Sequence, residues 1–136
     1  DSLQAIVGWH MLKRVAEINE KRRANAARYD DGLREIPGVM VPPRNPAYYA
    51  VYHTFVIQVE RRAELQKYLA EAGIETKIHY GVPIHLQPGY KHLGYKRGDF
   101  PVCEAQAARI LSLPIHEFLT DGEIDYVIDT ISTFYR

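Results

Sequence analysis

The sequence predicts an α+β fold in which a small, mostly antiparallel sheet carries helices packed on one face. Three observations lead there. Residues 51 to 59 alternate apolar and polar side chains with the period of a strand, and other stretches repeat apolar residues every three or four positions, as helices do. The segments also follow in the order long helix, strand, strand, helix, strand, loop, helix, strand, helix. A chain of 136 residues has the size of one domain, and it buries roughly two-thirds of its unfolded surface, enough for an ordinary core.

The first element follows from Leu3, Ile6, Val7, Met11, Val15 and Ile18, whose rhythm continues through Ala26, Tyr29 and Leu33. Asp1 with Gln4 can cap its start and Ile36-Pro37-Gly38 stops it, so residues 1–36 read as one long helix of about 50 Å. Trp9 and Leu12 lie off the main stripe, so the first half is apolar on more than one side. Such a helix packs against something at both ends, another domain or another subunit.

Val39 to Val41 is a short candidate strand, ended by Pro42-Pro43-Arg44-Asn45-Pro46, where regular structure is forbidden. Val51, His53, Phe55, Ile57 and Val59 then face one side of the best strand in the chain. Arg61 to Ala72 is amphipathic through Leu65, Tyr68, Leu69 and Ala72, and Gly73 closes it. Ile74 to Tyr80 is the next strand. Residues 81–98 hold two prolines and four glycines, which predicts a structured loop with one helical turn near 87–93. Asp99 opens a helix with Pro101 in its first turn, Leu111 to Ile115 is a short strand, and Thr120 with Glu123 caps a final amphipathic helix.

Composition narrows the function. Seventeen basic and seventeen acidic side chains cancel, which argues against a partner with a phosphate backbone such as nucleic acid. One cysteine, Cys103, cannot close an internal disulfide, so a cytoplasmic setting is the default. No apolar run approaches the roughly twenty residues of a membrane span, and the opening Asp-Ser-Leu-Gln is not a signal peptide. Phosphate-loop, nucleophile-elbow and zinc-protease motifs do not occur. His79, His85 and His92 stand six and seven apart, which fits no common metal-ligand pattern. Cys103 beside Glu104 reads as packing and Ser112 as a strand residue.

What remains is a polar and aromatic cluster, His79, Tyr80, His85, Gln87 and Tyr90, in a Pro- and Gly-stiffened loop after a strand. Strand ends followed by rigid loops are where sites tend to sit. A purely structural account of the same residues has Tyr80 capping the sheet edge and His85 bonded to loop backbone.

Four blocks of sequence carry a resemblance. They are Asp-Ser-Leu-Gln-Ala-Ile-Val-Gly at 1–8, Val-Tyr-His-Thr-Phe-Val-Ile at 51–57, Ile-His-Tyr-x-x-Pro-x-His-x-Gln at 78–87, and Gly-Asp-Phe-Pro-Val-x-Glu with Leu-Ser-Leu-Pro at 98–104 and 111–114. In this order they resemble the C-terminal part of the DegT/DnrJ/EryC1/StrS family, the pyridoxal-phosphate-dependent aminotransferases of nucleotide-linked keto-sugars. The resemblance implies the small C-terminal domain of the aspartate-aminotransferase-like (type I) fold over 37–136, with 1–36 as the interdomain helix. It implies a substrate-facing role for Tyr80, His85, Gln87 and His79, glutamate as amino donor, and a cytoplasmic homodimer.

The same resemblance implies an absence. The family's Schiff-base lysine, its pyridinium aspartate and its phosphate-holding residues belong to a large domain, and none of Lys13, Lys21, Lys67, Lys77, Lys91 or Lys96 stands in a matching context. No catalytic residue is therefore assigned, and the segment alone should be inactive. Two alternatives stay open: a dehydratase of the same family, whose deciding residue lies upstream of Asp1, and a free-standing α+β module that binds a small molecule through residues 79–90.

Overall fold

The computed structural model describes residues 1–136. Two helices open the chain, α1 (Ser2–Leu12) and α2 (Val15–Leu33). Asp1 and Gln4 form the expected reciprocal cap. The helical stretch is not continuous: at Lys13 and Arg14 the amides turn back to His10 and Met11, three residues earlier, and the φ of Arg14 is stretched to −109°. Those tightened bonds divide one long rod into two segments.

Three strands follow in a fully antiparallel sheet of order β1–β2–β3: β1 (Val39–Met40), β2 (Phe55–Val59) and β3 (Ile110–Leu113). Val39 faces Val59, and Phe55 faces Leu113. The strand expected from Val51 begins only at Phe55. Tyr52 sits at a left-handed φ of 46°, which a strand cannot contain. The carbonyls of Ala50 and Tyr52 are taken by arginines of α2 instead of a ladder. The strand expected over 74–80 is likewise reduced to a single bridge, in which Lys77 and Ser112 exchange both backbone bonds at 3.1 and 2.8 Å.

Helix α3 (Arg62–Glu71) follows β2, α4 (Pro101–Arg109) precedes β3, and α5 (Asp121–Tyr135) ends the chain. Phe55, Ile57 and Val59 bury one face of β2 against Tyr29 and Leu33 of α2, Leu65 and Leu69 of α3, and Ile124, Val127 and Ile131 of α5. Helices α2, α3 and α5 thus share the core on one side of the sheet, while α4, expected on that same face, packs against the Val56 side of β2 instead. No helix is long and apolar enough to cross a membrane.

Turns between these layers are specified locally. After α3, the Gly73 amide bonds to Ala70 and the Ile74 amide to Leu69, the paired pattern that a left-handed glycine permits, and Ile74 enters the core beside Leu69. The loop predicted for 42–46 is anchored by Arg44, whose guanidinium reaches both oxygens of the nearly buried Asp30 at 2.9 and 3.0 Å. At Thr120 the predicted capping box is present, with Thr120 and Glu123 each holding the other's backbone amide.

Gly38, between α2 and β1, has φ +77°, and a Cβ placed there would come within 2.7 Å of the Tyr135 ring. Gly73 has the same φ with nothing within 4 Å. We expect Gly73→Ala to cost about 1–2 kcal/mol through the left-handed backbone alone. Gly38→Ala should cost about 1–3 kcal/mol more, because the ring of Tyr135 must move. Denaturant midpoints of the two variants check this, with equal values excluding the packing contribution.

Candidate functional site

The Gly73 turn sends the chain back beside β3, and after the Lys77–Ser112 bridge His79 and Tyr80 emerge from the sheet edge. The His79 Nδ1 lies 2.9 Å from the Ser112 hydroxyl, so the strand fixes the imidazole. The Tyr80 ring stands edge-on to it at 5.6 Å and is 75 % exposed. Beyond Pro83, 3₁₀ turns at Ile84–Leu86 and Pro88–Leu93 replace the single helical turn expected there. Gln87 lies between them, and its side-chain amide donates to the Val82 carbonyl at 3.2 Å.

These residues surround a cavity of about 350 Å³ on the side of β2 opposite the core. His79, Tyr80 and Gln87 line it together with Val56 of β2 and Gln106 and Ala107 of α4. No Lys, Arg, Asp or Glu lines the cavity. Its walls therefore offer imidazole, phenol and amide groups, which both donate and accept hydrogen bonds without carrying a buried fixed charge. His79 also borders a second opening of about 400 Å³ shared with His53, Lys77 and His116.

His85 is placed differently. Its ring does not line the cavity; the side chain is 8 % exposed and lies behind the loop. The Phe100 ring covers it at 4.7 Å. Its Nε2 is 3.0 Å from Glu104 Oε1 in α4, not bonded to loop backbone. That same carboxylate oxygen accepts from the amides of Gly98 at 2.8 Å and Phe100 at 3.4 Å. The Gly98 amide and then the imidazole hold the Glu104 carboxyl below the usual carboxylate range, against the opposing effect of burial. Glu104 is then ionised at neutral pH and can only accept, so the His85 Nε2 carries the proton.

Structure thus brings together three of the four residues singled out in the sequence and puts the fourth one layer back. Three further residues matter that sequence reasoning passed over. Ser112, read as an ordinary strand residue, orients His79; Glu104, read as a neighbour of Cys103, gathers the loop; Phe100 covers His85. The signal available was the position of Glu104, an acid in the first turn of a helix that begins with proline. Cys103 is exposed and lines the cavity. No group of three or more His, Cys, Asp or Glu is arranged to hold a metal ion.

Pyridoxal phosphate, implied by the sequence resemblance, requires an amine for its aldehyde, a carboxylate at its ring nitrogen and donors for its phosphate. The cavity presents none of the charged groups in that set. Elsewhere Lys67 pairs with Glu71 at 3.8 Å, Lys77 with Glu75 at 2.5 Å, and Lys13 lies over Trp9. The residues of this chain do not by themselves fit the cofactor.

The DegT/DnrJ/EryC1/StrS aminotransferase family matches residues 1–132. The erythromycin biosynthesis sensory transduction protein EryC1 of Saccharopolyspora erythraea is 40 % identical over 131 residues, covering 96 % of this chain and 36 % of EryC1. The dTDP-3-amino-3,4,6-trideoxy-alpha-D-glucose transaminase of Streptomyces venezuelae is 38 % identical, with 96 % and 35 % covered. The crystal structure of S. venezuelae DesV in complex with a ketimine intermediate superposes with a TM-score of 0.95 at 37 % identity, over all of this chain and 37 % of DesV. A family aminotransferase from Brucella abortus superposes at 0.91 with 34 % identity, over 99 % of this chain and 36 % of that one. The chain spans about a third of the length of these relatives. With the family model matching residues 1–132 and solved members superposing on nearly all of this chain, the chain belongs to the DegT/DnrJ/EryC1/StrS aminotransferase family.

Proposed function

We propose that this chain is the C-terminal portion of a pyridoxal-phosphate-dependent aminotransferase that moves an amino group from glutamate to the keto carbon of a nucleotide-linked sugar. The observation that carries the proposal is the mainly apolar cavity into which His79, Tyr80 and Gln87 bring neutral polar groups and no fixed charge, in a chain whose relatives include named sugar transaminases. A hexose presents hydroxyls, and neutral donors and acceptors orient hydroxyls without the cost of burying an ion.

In this reading residues 37–136 are the small domain of a type I fold and residues 1–36 join it to a larger domain that binds the cofactor. Bound there, the cofactor supplies an electron sink. The chain's own residues bind and orient: Tyr80 and Gln87 offer hydrogen bonds to the sugar, and Ser112 holds the His79 ring toward the same opening. The lysine that moves protons and the groups that grip the cofactor come from outside residues 1–136. The working form is a cytoplasmic homodimer.

Helix α1 supports the two-part arrangement. None of its residues is buried, and Leu3, Ile6, Trp9 and Leu12 are each more than 60 % exposed. An apolar helix left in water at this density is a contact surface for something absent from the segment.

Two outcomes follow. In the full-length protein, glutamate should shift the absorption band of the bound cofactor, and Tyr80→Phe with Gln87→Ala should slow the sugar step about ten-fold or more while the glutamate step changes less. Equal losses in both steps would assign these side chains to stability alone. Residues 1–136 expressed alone should self-associate through α1 in size-exclusion chromatography, and Ile6→Lys with Trp9→Lys should reduce that association; a monodisperse monomer of the unaltered segment would remove the support α1 gives.

A further inference from the structure

The loop of residues 81–98 leaves the sheet at His79 and returns at α4, and a single oxygen gathers both of its ends. Glu104 Oε1 accepts from His85 near the start of the loop and from Gly98 at its finish. It also accepts from Phe100, whose ring covers His85 while Tyr95 packs edge-on against that ring at 5.1 Å. Bonds to an ionised acceptor are roughly twice as strong as neutral ones, and here they are shielded, with the two side chains 8 % and 12 % exposed. Gln87, which lines the cavity, is two residues from the tethered histidine.

We propose that His85 and Glu104 form a latch that sets the loop presenting Gln87 to the keto-sugar, with His85 acting through the loop rather than by touching the substrate. This rests on the aminotransferase reading for the identity of the substrate, though not for the latch itself. Both are positioning residues. The Glu104 carboxylate holds the His85 imidazole by its Nε2 proton and the Gly98 amide by its N–H, so the loss of either partner frees the segment between them. Were His85 a direct substrate ligand, its loss would remove a contact that the loss of Glu104 leaves in place.

The test is a double-mutant cycle in the full-length protein, read by steady-state kinetics and by hydrogen exchange. We expect Glu104→Ala and His85→Ala each to raise KM for the nucleotide-sugar about ten-fold, the double variant to be no worse than either, and the glutamate step to change by less than about three-fold. Glu104→Gln, whose amide oxygen can still accept from the same groups, should recover most of the loss. Amides of residues 81–98 should exchange about ten-fold faster in Glu104→Ala, with those of residues 55–59 unchanged. Additive losses, or a His85→Ala defect that Glu104→Ala does not share, would overturn the latch in favour of direct contact. Parallel losses in both steps that follow a lowered melting temperature would overturn it as well. If the unaltered protein shows no response to glutamate, the aminotransferase reading fails, and the exchange measurement alone decides the latch: no acceleration in 81–98 sinks it.

Discussion

Most of this architecture depends on what becomes of the backbone carbonyls just outside the sheet. Those of Ala50, Tyr52, Ile115 and His116 have no strand opposite them, and α2 supplies the donors. Arg22 reaches Tyr52 at 3.1 Å and Ile115 at 2.9 Å, Asn25 reaches His116 at 2.9 Å, and Arg23 reaches Ala50 at 3.0 Å. These side chains satisfy carbonyls that a longer β2 or β3 ladder would otherwise use. They also tie the first half of the chain to residues more than ninety positions later. With β3 fixed in this way, Ser112 is fixed, and through it the histidine at the mouth of the cavity.

The two faces of the sheet divide the labour. Phe55, Ile57 and Val59 look into the core, while Val56 between them looks toward α4 and the loop. The core side is dense and wholly apolar at the strand, and the other side is open enough to leave a cavity. A five-residue strand is thus sufficient to make one surface for stability and one for binding, because successive side chains point opposite ways. Charge is kept to the periphery of the second surface, where the Glu104 carboxylate serves the loop and not the cavity.

Legibility in the sequence tracked how local each determinant is. Capping boxes at Asp1 and Thr120, the glycine turn after α3 and the proline opening of α4 were all readable, since each is written in residues a few positions apart. The extents of β2 and of the 74–80 segment were not. Alternation continues through Val51 and His53, but arginines thirty positions earlier take the carbonyls that a longer strand would need. His79, Tyr80 and Gln87 could be grouped because one short loop holds them. The partner of His85 could not, because Glu104 is nineteen residues away and becomes its neighbour only once α4 packs on the sheet. The family was legible from the order of four blocks.

The brevity of β1 has a wider bearing. It pairs at only two residues and is followed within three positions by Pro42 and Pro43, which have no N–H to offer an incoming chain. At the opposite margin Lys77 occupies the outer side of β3. Short pairing, prolines and a lysine at the two borders thus disfavour ribbon growth from molecule to molecule, although the first helix is greasy.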